Sequence, residues 1–234
     1  MNLLLLMLRW DLDLQARHHI LTANLISTAF LAAFVMILPT PLDPKVASLF
    51  IFLDPALIGL SFVGAIILME KAARVHLAMG VTPSEPWVYV ASKIITLSVG
   101  GLLSGLAVAY AAYRGAFDWP MMLIALTLSN SVAVLIGFGI VARARSMNDL
   151  MVKLIYVSTA LFVPILAHFD IIPAAPVAWI PSYAMLVLLD AGGSPGLVPT
   201  AHWLTAAGYL LIWILLGSMW ALREYRRSIV SEGR

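Results

Sequence analysis

Apolar residues fall in six blocks separated by short polar stretches, at 20–38, 49–69, 94–113, 120–142, 154–169 and 202–222. Each approaches the roughly 20 residues that an α-helix needs to cross a bilayer core of about 30 Å. The pattern predicts an all-α, polytopic protein with six transmembrane helices and no soluble domain. The fifth block is the shortest and carries Pro164, so a kink or an extension into its flanks is expected there. The apolar run at 2–8 is too short to span. It lacks a basic stretch before it and a small-residue cleavage site after it, so a cleaved signal peptide is not expected.

Composition agrees with the pattern. Of 234 residues, 62% are hydrophobic and 11% charged, and mean hydropathy is +0.97. Soluble domains carry about 25% charge, so the surplus apolar surface must face lipid. The absence of cysteine removes disulfides, thiol nucleophiles and zinc–thiolate sites.

The net charge of +2 is explained by where the basic residues lie. Arg9 and Arg17 precede the first block. Lys71, Arg74 and Lys93 lie between the second and third, and Arg143, Arg145 and Lys153 between the fourth and fifth. Arg223, Arg226, Arg227 and Arg234 follow the last. Twelve of the 14 basic residues thus share one side, against Lys45 and Arg114 on the other. The positive-inside rule makes both termini cytoplasmic, and no nucleic-acid partner is needed to account for the charge.

The chain therefore divides into a cytoplasmic interfacial segment at 1–19, the spans, a cytoplasmic loop at 70–93 and a cytoplasmic tail at 223–234. An extracytoplasmic segment fills 170–201. That segment holds five of the 13 prolines and no Lys or Arg. It is too broken to span and too apolar to float in water, which predicts a re-entrant or interfacial hairpin.

The loop at 70–93 has internal order. Glu70 and Arg74 stand four apart with the acid first, the favourable order for a helical pair. Val75, Ala78 and Met79 share a helical side, and Gly80 is a natural stop. Thr82-Pro83-Ser84-Glu85 then forms a capping box opening a new helix. Trp87 and Tyr89 suit the headgroup belt, to which Lys93 can snorkel. From spacing alone, this is either an ordinary amphipathic connector or a docking surface for a soluble partner.

Glu70-Lys71, Val81-Thr82-Pro83, Tyr89 and Ser92-Lys93 together resemble the permease subunits of ABC-2 type transporters, most of all the fluoroquinolone-export permeases. Arg9-Trp10-Asp11, Asp54-Pro55-Ala56 and Ile180-Pro181-Ser182-Tyr183 extend the likeness over essentially the whole chain. The resemblance implies a type V exporter-like transmembrane domain in the cell (inner) membrane. It also implies a second permease subunit, identical or related, and an amphipathic drug- or lipid-like substrate. The loop would dock on a separate ATPase subunit through Glu70, Lys71, Arg74, Met79, Gly80 and Thr82. ATP and Mg would belong to that subunit, and no cofactor to this chain. The sequence has no G-x-x-x-x-G-K-[ST] phosphate-binding loop of its own, so no catalysis is expected here. Two other readings stay open: a substrate-capturing component of an importer, and an ATP-independent membrane protein.

Polar residues inside the spans are few. Asp54 is the single acid well inside a predicted span, which makes it a candidate for the substrate pathway. It could equally be an N-cap, with Pro55 the first residue of the true helix. Gly101 and Gly105 have G-x-x-x-G spacing, continued by Ala109, and predict close helix packing, within the chain or between subunits. The five histidines are scattered and give no metal-site spacing. His168 and Asp170 are close enough to pair but are expected to be solvated. No G-x-S-x-G occurs and no serine is visibly matched with a buried histidine, which leaves no sequence sign of a serine hydrolase.

Overall fold

The computed structural model describes residues 3–54, 60–72, 86–142, 144 and 146–232, with backbone alone at 71, 72, 86 and 225–232. All regular structure among them is helical. The helices are α1 (Leu3–Arg17), α2 (Ile20–Ile37), α3 (Pro44–Asp54), α4 (Leu60–Ala72), α5 (Pro86–Tyr113), α6 (Trp119–Ala142), α7 (Met147–His168), α8 (Pro181–Gly193) and α9 (Thr200–Glu232). Among the described residues α2, α5, α6, α7 and α9 are each long and apolar enough to cross a membrane. The protein is a multi-pass membrane protein.

Within the second predicted span the described residues form α3 of 11 residues and α4 of 13, on either side of 55–59. α3 runs antiparallel to α5. The Pro44 carbonyl accepts from the Tyr113 hydroxyl near the end of α5 (3.4 Å). Asp54 meets Ser104 further along, and Glu70 meets Lys93 near the start. α4 packs against α6 and α7.

α6 is the hub, packing against α4, α5, α7, α8 and α9. Its most apolar window is 67% buried, against 11% for α2 and 17% for α9. The difference decides which surfaces meet lipid: Leu25, Ile26 and Phe30 of α2 and Ile212, Leu215 and Leu216 of α9 are exposed. Small residues allow the close approach of α5 to α6. A Cβ at Gly101 would lie 2.1 Å from the Asn130 side-chain oxygen, and one at Gly105 would lie 2.5 Å from a Leu126 methyl. The G-x-x-x-G stripe, with fully buried Ala109, thus serves packing inside the chain.

α7 is one continuous helix through Pro164. It is capped by the Ser146 hydroxyl, which accepts from the Asp149 amide at 3.2 Å. It begins well before the predicted 154, because Asp149 and Lys153 pair along its first turns (2.7 Å). At 13 residues, α8 is about 20 Å long, too short to cross. Pro181 opens it at the first turn, where the missing N–H costs nothing. It lies against α3, α6, α7 and α9 with Leu186, Leu188 and Leu189 buried.

Candidate functional site

The most highly organised polar site lies at the root of the basic loop. Lys93 projects from the first half of α5, one turn after Tyr89. Its ammonium group donates to Asp11 Oδ1 of α1 and to Glu70 Oε1 of α4. The Tyr89 hydroxyl donates to the other oxygen of Glu70, Oε2, at 2.5 Å. The ammonium also stands 5.4 Å from the ring centroids of both Trp10 and Tyr89, within cation–π range. The side chains of Lys93, Asp11 and Glu70 are 1%, 2% and 4% exposed. Charges so deeply removed from water persist only when paired and hydrogen-bonded.

This cluster changes the meaning of several residues. Lys93 does not snorkel and Tyr89 is not in the headgroup belt; both are buried. Trp87 is exposed, as expected of a belt residue. The Glu70 carboxylate is turned inward to Lys93 and Tyr89, so it presents no surface charge. Arg74, Met79, Gly80 and Thr82, with the Thr82–Glu85 capping box, lie outside the described residues, as does the side chain of Lys71. What the structure does fix is the base of their loop: Glu70 precedes it, Lys93 follows it, and the ion pair ties both to α1. Asp11, Glu70, Tyr89 and Lys93 come from four separate motifs that carry the family likeness, and they converge on one point.

A second polar site lies within the membrane. The N-cap reading turns on Pro55, outside the described residues, but Asp54 itself belongs to α3. It is 1% exposed. Its Oδ2 accepts from the Ser104 hydroxyl of α5. Thr28 of α2 faces the same carboxyl, yet neither Thr28 Oγ1 nor Asp54 Oδ1 makes a hydrogen bond of ordinary geometry.

The third site lies at the opposite end of the helices. His168, expected in solvent, is 7% exposed. Its Nδ1 is 3.4 Å from Asp190 Oδ2 of α8, and its Nε2 is 3.1 Å from both Ser48 Oγ and the Lys45 carbonyl of α3. Asp170 pairs with Lys45 instead. The order serine, histidine, aspartate is that of a hydrolase triad, but the proton inventory differs. The Lys45 carbonyl can only accept, and the Ser48 hydroxyl donates to that same carbonyl (3.1 Å), so Nε2 is a donor and not the base that a serine nucleophile requires. The arrangement instead ties α3, α7 and α8 together. Replacing His168 with leucine is expected to cost about 2 kcal/mol, the worth of a hydrogen bond to a charged group, read from thermal unfolding in mild detergent. A change below about 0.5 kcal/mol, the range of ordinary surface substitutions, would show the pairing to be idle.

Sequence reading missed the first and third sites because their partners are remote. Among the described residues there is no group of His, Asp and Glu able to hold a metal ion.

A model of the fluoroquinolones export permease protein family matches residues 2–233. The fluoroquinolones export permease proteins of Mycobacterium tuberculosis strains ATCC 25618 / H37Rv and CDC 1551 / Oshkosh are each 27% identical over 207 residues. That is 88% of this chain and 86% of each relative. No solved structure matches the chain.

Proposed function

Because the chain belongs to the fluoroquinolones export permease protein family, we propose that it is the permease subunit of an ATP-driven exporter. ATP, with Mg, is bound and hydrolysed on a separate ATPase chain. The basic face is cytoplasmic, in the cell (inner) membrane, and two permeases, identical or related, enclose the pathway. The substrate is an amphipathic drug- or lipid-like molecule, of which the fluoroquinolones in the relatives' names are the chemical example.

The observation that carries this reading is the Lys93 cluster. A loop that merely connects two spans needs no buried ion pair at its base. A loop that receives force does, since a push on residues 73–85 must reach α4 and α5 without being lost in bending. The Glu70–Lys93 pair joins the two helices where the loop leaves them, and Asp11 adds α1 to the same unit. Closure of the ATPase dimer then displaces this unit and switches the cavity between the permeases from inward- to outward-open.

The docking contacts fall to Lys71, Arg74, Met79, Gly80 and Thr82, with Glu70 as the anchor beneath them. Charge reversal tests the division. Arg74→Glu is expected to lower co-purification of the ATPase and ATP-dependent export while leaving the melting temperature of the permease alone unchanged. Wild-type assembly and export in that variant would remove Arg74 from the docking surface.

A further inference from the structure

His168 and Asp190 meet in an arrangement that works only with a proton between them. The Lys45 carbonyl, 3.1 Å from Nε2, has lone pairs and no hydrogen to give, so Nε2 carries a hydrogen whichever way the Ser48 hydroxyl turns. The other ring nitrogen, Nδ1, faces Asp190 Oδ2 at 3.4 Å. One proton shared there gives imidazolium with carboxylate, or imidazole with carboxylic acid, and each pair attracts. With no proton, the Nδ1 lone pair faces a carboxylate across side chains only 5% and 20% exposed, with little water to soften the repulsion. The two groups therefore titrate as a unit, in one step that makes or breaks the contact.

The neighbouring groups do not take over this role. Lys45 of α3 turns its ammonium group to Asp170, just past α7. Asp43, just before α3, adds negative charge near Asp190 and accepts from the Lys45 amide at 2.8 Å. Tyr113, at the end of α5, faces Asp190 but gives its proton to the Pro44 carbonyl. Just before α6, the Asp118 carboxylate accepts from the Met121 amide at 3.0 Å, and on α9 His202 is exposed. Asp190 Oδ1 makes no hydrogen bond. Burial pushes the Asp190 carboxyl above the usual carboxylate range. The contact is thus present at low pH and lost as pH rises. We propose that His168 and Asp190 form a one-proton latch, closed with the proton and open without it, that holds α8 on α3 and α7. On the orientation proposed above, this end faces outwards, so the latch answers to the pH outside the cell. The latch itself does not depend on the exporter reading.

The chain has no cysteine, so a single introduced thiol reports on α8 alone. Met185→Cys puts it at a position of α8 that is 3% exposed. Labelling of this parent chain by N-ethylmaleimide in mild detergent is followed between about pH 5.5 and about pH 8.5, where a pair containing histidine titrates. Each rate is divided by that of the same chain unfolded at the same pH, which removes the thiol's own titration. With His168 and Asp190 intact, the normalised rate rises about tenfold over this range, the equivalent of losing one hydrogen bond. Asp190→Asn carries an amide that donates to Nδ1 at every pH, so its rate stays low and flat. His168→Leu has no latch, so its rate is high and flat. A pairing that is merely structural would leave the parent flat and raise both variants alike. A flat parent, or an Asp190→Asn chain that opens with pH as the parent does, overturns the latch. Should Asp190→Asn not fold, His168→Leu decides, and a rise with pH equal to the parent's overturns the latch.

Discussion

Lys93→Met is expected to destabilise the chain by about 3–5 kcal/mol, the usual result of removing one partner from a buried ion pair. The substitution keeps the length of the side chain and most of its apolar stem. What it removes is, among the described residues, the one positive charge facing the carboxylates of Asp11 and Glu70, both almost fully buried. Tyr89 can still donate to Glu70, but Asp11 loses its only described side-chain donor. Thermal unfolding of the purified permease in mild detergent, followed by tryptophan fluorescence, measures the effect. Lys93→Met combined with Asp11→Leu and Glu70→Met should recover most of the loss, since the desolvation penalty disappears with the charges. That triple variant should fold yet export poorly if the cluster transmits force as well as holding the helices. A Lys93→Met chain within 1 kcal/mol of wild type would mean that the cluster carries little of the fold.

Gly192→Ala is expected to cost about 3 kcal/mol, at the upper end of the overpacking range, although it adds one methyl group. A Cβ at this position of α8 would sit 2.9 Å from Met122 Cα and 3.0 Å from Met122 N. These are backbone atoms of α6, which is held by five other helices and cannot yield locally. Nor can α8 shift easily, because the Gly192 carbonyl accepts from the Asp118 amide at 2.9 Å. Gly64→Ala makes the control. Its Cβ would meet the end of the Leu150 side chain, 2.8 Å from one methyl, and a rotamer change relieves that contact at a cost within about 1 kcal/mol. The same melting assay compares the two. Equal effects would show that α8 is not wedged against α6 as described.

The contrast between these positions shows what the sequence can and cannot say. The spans were legible because hydropathy is a local property. The close packing of Gly101 and Gly105 was legible because the four-residue spacing puts both on one helix face. Lys93 was not. Read locally, a lysine near the start of a span belongs at the headgroups, and only the fold supplies Asp11, 82 residues earlier. His168 failed in the same way. Its nearest acid in sequence, Asp170, pairs with Lys45 across 125 residues, while the acid that reaches the imidazole, Asp190, follows a run of apolar residues that hides it.

The central claim is that this chain works as the membrane half of an ATP-driven machine, and the most direct measurement is its composition in the membrane. The permease would be tagged at its chromosomal locus, solubilised in mild detergent, purified and analysed by mass spectrometry with stoichiometry. The account predicts an ATPase subunit containing a phosphate-binding loop in equimolar amount, and either a second six-span permease or two copies of this one. A homogeneous preparation that transports without any ATPase would contradict it, and the residues from Glu70 to Lys93 would then be a connector held in place by Lys93.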